Sequence, residues 1–368
     1  MWATLKQDFQ TVRAEARRNG WRASIARTFT ELDEFYLTDE RRRRLAREGV
    51  IRGAMRRTWW LLTSLFFKLT PARRLMLTIA ILATLLSREG DLRGAASNIH
   101  LVIIGAGLFL LVLMLELKDK LVARHELEAG RAVQRALMPP PSPSVRGWQM
   151  WLETRPANDV GGDLVDFLSL DADRNRLALA DVAGKGLQAA LLAARLQATL
   201  RALAPDAPSL ADLARRTNRI LYRDGPSNRF ATLVYLEIQS RSGRVCVVNA
   251  GHMPPVILRR DRLEVLAPGV AALGVLPDIA AEEHDVDLEP GDVLLVYSDG
   301  VTEAMNVAGE FFGEDRLSGL LRAGRPSTAR ELADRILEAV GAFVGLARTH
   351  DDLSLIVLLR EAIPAPLP

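Results

Sequence analysis

From Ala95 to Leu115 the chain runs for 21 residues without a formal charge, AASNIHLVIIGAGLFLLVLML. At ~1.5 Å rise per residue, a helix of this length crosses the ~30 Å hydrocarbon layer of a bilayer. A second apolar run, Leu75 to Ser87 (LMLTIAILATLLS), has 13 residues. Alone it reaches roughly 20 Å, and Arg73, Arg74 and Arg88 can extend it by snorkelling. WWLLTSLFF, from Trp59 to Phe67, adds an aromatic element suited to a membrane interface, and Pro71 separates it from the next helix. Nothing nearby offers these runs a protein core, so residues 72–116 are expected to form a transmembrane helical hairpin.

Charge supports that placement. The chain has 368 residues and a formal charge of +3, but residues 1–74 carry +9, residues 75–139 carry +1 and residues 140–368 carry −7. Residues 1–71 are therefore expected to be a basic, partly helical segment on the cytoplasmic side or the membrane surface. Positive flanks at both ends of the hairpin put both ends in the cytoplasm. The expected location is a bacterial inner membrane, crossed more than once, with the C-terminal domain in the cytoplasm. No cleavable signal peptide is visible. The acidic C-terminal part is a poor nucleic-acid binder, because phosphate backbones attract positive stripes. The single cysteine, Cys246, excludes a disulfide framework and a Cys-rich zinc site.

Residues 117–139 are expected to continue as a helical stalk, stopped by Pro139, Pro140, Pro141 and Pro143. Such a stalk suits signal transmission or a homodimer. From Trp148 onward short apolar, β-rich runs dominate, and helices come in pairs: Leu187–Leu203 with Leu210–Tyr222, then Arg316–Leu321 with Ala329–Val344. Alternating βαβ units are absent. Residues 140–368 are thus expected to fold as an α+β domain of stacked antiparallel sheets covered by helices.

ALADVAGKGLQAA, from Ala178 to Ala190, has the outline of a nucleotide loop. A Walker loop requires G-x-x-x-x-G-K-[ST]. Here Gly186 replaces the hydroxyl residue and Leu179 the first glycine, so phosphate cradling is disfavoured; nucleotide hydrolysis, which would depend on Lys185, stands as a third reading. The aspartates are more telling. Asp163 opens one apolar run (GGDLVDF), Asp181 closes another (LALADVAG), Asp299 closes a third (VLLVYSDG), and Asp351 and Asp352 open the last (THDDLSLIVLLR). Aspartate favours turns, so any one of these is unremarkable by itself. If the four ends converge, their charges repel, and divalent cations relieve that repulsion. Carboxylates without Cys or paired His suit hard ions such as Mg²⁺ or Mn²⁺.

These stretches, together with AVQRALMP, RPANDVGGDLVD, NRFATLVYLEI and VNAGHMPPVIL, closely resemble the metal-dependent (PPM, type 2C) serine/threonine phosphatases, specifically their SpoIIE/RsbU-like bacterial branch. The matching stretches run in order from Ala132 to Arg360; residues 1–130 share none of them. The resemblance implies an αββα sandwich and a two-metal site holding Mn²⁺ or Mg²⁺. Carried across by position, it implies that Asp181 bridges two ions, that Asp163 serves one, and that Asp299 and Asp351 complete the other. The Val182 carbonyl and Asp352 are then further ligands. The implied reaction is hydrolysis of phosphoserine or phosphothreonine by an activated water, with no protein nucleophile. The implied substrate is a phosphorylated STAS-domain antagonist of an anti-sigma factor, in a partner-switching pathway.

His252 suits loop shaping better than a role as general acid. Arg155 fits either a phosphate contact or a structural ion pair. The Gly184–Lys185–Gly186 turn is expected to be a hinge joining Asp181 to the Leu187–Leu203 helix, which with the stalk forms a switch and a possible dimer contact. The competing reading is a catalytically inactive membrane scaffold that uses the same fold to bind regulatory partners.

Overall fold

In the computed structural model, residues 44, 50–91, 99–225, 229–260 and 262–362 are described. The basic segment before residue 50, apart from Arg44, and the connecting loop 92–98 lie outside them. The chain divides into two compact units, residues 1–122 and 123–368.

The first unit contains α1 (Val50–Lys68), α2 (Pro71–Asp91) and the start of α3 (Ile99–Leu137). Pro71 is the first residue of α2, where its missing N–H is harmless and its φ suits the helix. Helices α2 and α3 pack as an antiparallel pair. Arg73 at the start of α2 reaches Glu116 at 2.6 Å and Asp119 at 2.5 Å on α3. Further along, Gly105 lies against Ala80 and Thr84; a Cβ there would stand 2.8 Å from Thr84 Oγ1 and 2.9 Å from the Ala80 carbonyl. Small residues at this crossing let the two backbones approach. Gly105→Leu is therefore expected to push the helices apart and cost about 1–3 kcal/mol. A lower melting temperature of the variant would register this; an unchanged one would show that the contact contributes nothing.

Among the described residues one helix is long and apolar enough to cross a membrane, His100–Leu137, and only 11% of its apolar window is buried within the protein. That exposure is the reverse of what a soluble core helix shows. The apolar run and the stalk are one continuous 39-residue helix, which ends just before Pro139.

The second unit holds two five-stranded sheets. The first has the order β1 (Trp148–Arg155), β10 (Leu353–Arg360), β9 (Val293–Tyr297), β6 (Val256–Arg259), β7 (Arg262–Val265). The second has the order β2 (Leu164–Ser169), β3 (Arg174–Val182), β4 (Ala231–Gln239), β5 (Arg244–Ala250), β8 (His284–Asp287). All strand neighbours pair antiparallel. The inner faces interlock through residues such as Trp148, Met150, Ile356 and Leu294 from one sheet and Leu177, Leu179, Leu236 and Val247 from the other.

The outer face of the second sheet is covered by α4 (Leu187–Leu203) and α5 (Leu210–Asp224), and that of the first by α7 (Gly313–Arg322) and α8 (Ala329–Val344). A one-turn helix, α6 (Asp299–Thr302), follows β9. The central strands β3, β9 and β10 are buried on both faces, which is why they are continuous apolar runs, whereas the edge strands β7 and β8 are largely exposed and polar. Ala178 and Ala180 on β3 lie beneath Ala189 and Ala193 on α4, small side chains that let helix and sheet approach closely. Ser209 and Thr328 cap α5 and α8 by accepting the N–H of Asp212 and Glu331. The expected α+β sandwich with paired covering helices is present.

Candidate active site

Topology brings the acidic strand ends together. β2 and β3 pair with Leu164 opposite Ala180, so one step further Asp163 faces Asp181. β9 and β10 pair with Tyr297 opposite Leu355, so Asp299 just after β9 meets the chain that carries Asp351 and Asp352 into β10. In β3, residues 177 and 179 point between the sheets, and the two-residue period aims Asp181 the same way. Both strand pairs end on the same edge of the sandwich.

Close backbone approach tightens this edge. A Cβ on Gly300 would overlap the Asp352 carbonyl, and one on Gly161 would overlap the Asp352 carboxylate. A Cβ on Gly162 would stand 2.9 Å from the Val182 carbonyl, so this glycine lets the Asp163 loop lie against the end of β3.

The electrostatics are those of crowded acids. Burial pushes Asp163 well above the usual carboxylate range; Ser354 and Ser298 partly offset this, while Asp181 and Asp352 add to the rise. Oδ2 of Asp163 is buried with no hydrogen-bond partner. Asp181 is pushed up to about 6, first by burial and then by Asp299, Asp351 and Asp352. Asp299 is raised by burial and by Asp351 and Glu303, against the pull of the Gly300 N–H and Lys185. An orphaned buried carboxylate oxygen and mutual repulsion among hard oxygen donors fit a site for divalent cations. Among the described residues no trio of acidic, His or Cys side chains is closed up into a ready ligand cage. The acids are neighbours rather than a finished coordination sphere.

Asp352 is used differently from the others. Its Oδ1 accepts the Ala157 N–H at 2.7 Å, and its Oδ2 accepts the N–H groups of Gly162 at 2.6 Å and Asp163 at 3.4 Å. This buried carboxylate braces the loop that presents Asp163. Asp351 is half-exposed and pairs with Lys185 at 3.3 Å.

His252 is buried, with Nδ1 2.7 Å from the Thr232 hydroxyl and Nε2 3.2 Å from the Tyr297 carbonyl. A carbonyl can only accept, so the proton sits on Nε2 and Nδ1 accepts from Thr232. Burial holds this imidazole down at about 4. Its role is structural, because Thr232 in turn accepts the N–H of Asp181 at 3.3 Å and fixes the end of β3. Arg155 pairs with Glu153 at 3.1 Å. Burial and nearby acids push the Cys246 thiol up to about 12, which leaves it unreactive.

Several residues that no motif singles out individually also shape the site. Gln134, near the end of α3, clasps Gly161: its amide donates to the Gly161 carbonyl at 2.9 Å and accepts the Gly161 N–H at 3.2 Å. Gln197 on α4 donates to the Leu137 carbonyl at 2.8 Å and to Asp166 at 2.9 Å. The end of the stalk thus touches both the Asp163 loop and the helix behind Asp181. Arg229 grips the glycine turn, donating to the Ala183 carbonyl at 2.6 Å and to Gln188 at 2.9 Å.

The family description Stage II sporulation protein E (SpoIIE) matches residues 171–361, just over half of the chain. Protein IcfG of Synechocystis sp. is 29% identical over 277 residues, which cover 67% of this chain but 43% of IcfG. Phosphoserine phosphatase RsbU of Bacillus subtilis is 27% identical over 241 residues, covering 65% of this chain and 71% of RsbU. Among solved structures, the SiaA-PP2C domain of Pseudomonas aeruginosa has the same fold, with a TM-score of 0.58 at 18% identity, covering 66% of this chain and 99% of that domain. The RsbU and RsbW domains of a Mycobacterium tuberculosis protein align with a TM-score of 0.52 at 25% identity, covering 61% of this chain and 63% of theirs.

Proposed function

The chain belongs to the SpoIIE family of PP2C-type serine/threonine phosphatases, and from that premise we propose that it is a membrane-anchored, divalent-metal-dependent protein phosphatase. The observation that carries this reading is the convergence of Asp163, Asp181, Asp299 and Asp351 at one edge of the sandwich. Asp163, Asp181, Asp299, Asp351 and the Val182 carbonyl would hold two ions, Mn²⁺ or Mg²⁺. When bound, such ions supply a nucleophilic water at neutral pH and offset the charge of the phosphoryl group.

The chain's own residues supply position. Asp352 and Gln134 hold the Gly161–Asp163 loop from two sides. Thr232 and His252 fix the backbone of Asp181. Glycine at 162 lets loop and strand end meet. The departing serine or threonine oxygen needs a proton, and His252, engaged at both nitrogens, does not provide it.

Residues 1–71 form a basic cytoplasmic or membrane-surface segment in this reading, 72–116 a transmembrane hairpin, 117–139 a stalk and 140–368 the phosphatase domain. The catalytic domain faces the cytoplasm, and the stalk and α4 provide a dimer contact. The substrate is a phosphorylated protein, of the STAS type that partner-switching pathways use. The name phosphoserine phosphatase, borne by the Bacillus relative, supports a phosphoserine target.

The test is release of phosphate from a phosphoserine-bearing STAS protein by the full chain in detergent. Turnover that requires Mn²⁺ or Mg²⁺, and that EDTA abolishes, is the expected result. Absence of turnover with every divalent metal and phosphoprotein tried would favour a scaffold.

A further inference from the structure

Lys185 is the charged residue of the Gly184–Gly186 turn, and it is directed onto the acidic edge. Its ammonium donates to the His350 carbonyl at 2.5 Å and to Oδ2 of Asp351 at 3.3 Å. The same charge acts on Asp299, where it opposes the upward shift that burial imposes. Lys185 therefore contacts Asp351, one of the two carboxylates that the resemblance assigns to one of the ions, and its charge is felt at the other, Asp299.

The turn is built to hold this placement. Gly184 and Gly186 have φ of +119° and +72°, in the region that side chains rarely adopt. A Cβ at Gly184 would overlap the Arg229 guanidinium, which is itself anchored on Ala183 and Gln188. The loop leaving Asp181 is thus locked in a shape from which Lys185 reaches Asp351.

We propose that Lys185 is a tethered cation that holds Asp351 until a divalent ion replaces it, and so sets the metal affinity of the Asp299–Asp351 side of the site. This rests on the divalent-ion reading given above. A protein ammonium already neutralises part of the acidic field, so an entering ion gains less there than it would at bare carboxylates. Lys185 and Asp351 are both about half-exposed, with side chains 59% and 46% accessible. Solvent therefore keeps the pair weak enough to be displaced. Lys185 is a positioning residue in this scheme; it need not touch the substrate.

The experiment is titration of the full detergent-solubilised chain with Mn²⁺ alone, following free Mn²⁺ by electron paramagnetic resonance without substrate. Lys185→Met is expected to bind the weaker ion on the order of 5- to 10-fold more tightly than the unaltered chain at low ionic strength. Lys185→Arg, which keeps the charge, should stay close to the unaltered chain. The gap should narrow in high salt, as a charge effect at a half-exposed pair does. The direction is diagnostic, because a damaged loop would weaken metal binding. Equal or weaker binding by Lys185→Met, with Mn²⁺ still bound, overturns the role of Lys185 alone and leaves the metal site standing. No Mn²⁺ binding by any of the three chains overturns both.

Discussion

Asp181→Asn is expected to lower phosphatase activity by on the order of 10³-fold, and to leave the metal-free protein at least as stable as before at pH 7.5. The two effects have one origin. Asp181 is held in a place where burial and three neighbouring acids disfavour its charge, so its folded-state pKa is raised to about 6. For an acid raised in the folded state, the stabilising contribution is complete below the unfolded value near 4 and disappears as pH rises through about 6. At pH 7.5 the ionised group therefore destabilises the metal-free fold, by up to about 2 kcal/mol after allowing for partial exposure.

Asparagine keeps the shape and removes the charge. The metal-free variant should lose the fall in melting temperature that the unaltered chain shows between about pH 4 and 6. Mn²⁺ should raise the melting temperature of the unaltered chain more at pH 7.5 than at pH 5, and raise that of the variant much less. Melting curves over this pH range, with and without Mn²⁺, beside phosphate-release assays, check both halves. Retained activity in Asp181→Asn would remove this residue from the centre of the site.

Asp352→Ala should act in the opposite direction. Its carboxylate accepts three backbone N–H groups, from Ala157, Gly162 and Asp163, in a buried setting. Removing it leaves those donors without a partner and opens space beneath the Gly161–Asp163 loop. A loss of about 3–5 kcal/mol follows from unsatisfied buried donors and a lost charge-assisted network. The expected readouts are a large drop in melting temperature with or without metal, and loss of activity through misplacement of Asp163. Asp352→Asn keeps one accepting oxygen, so its stability should fall between the two. If Asp352→Ala melted normally and lost only metal affinity, Asp352 would be a ligand and not a brace. Two aspartates of similar appearance in the sequence are thus expected to have opposite relations to stability: burial and like charges disfavour the ionised form of Asp181, whereas Asp352 braces a neighbouring loop.

Much of this was legible in the residues. Aspartates at the ends of apolar runs mark strand termini because aspartate favours turns and disfavours strand interiors. Cys246 in RVCVVNA was legible as an ordinary strand residue, and its thiol, pushed up to about 12, behaves as one. The supporting residues were not legible. Gln134, Thr232 and Arg229 lie in stretches that carry the family resemblance, but their side chains are of common types and nothing local marks their roles. Each matters only because of a contact across 27, 20 or 46 positions of sequence.

The sequence by itself determined the apolar helix, the stalk that continues it, the paired helices, the β-rich C-terminal half and the acidic set. All of these follow from local composition and periodicity, which one stretch of chain carries alone. Tertiary structure decided how each acid is held. Asp351 and Asp352 are adjacent and chemically identical, yet the chain entering β10 turns them apart: one faces solvent and Lys185, the other faces inward to three backbone donors. It also decided that Lys185, which gives the turn the look of a phosphate cradle, faces carboxylates instead. Pairing register and the burial of opposite strand faces set those outcomes, and both depend on partners distant in the chain.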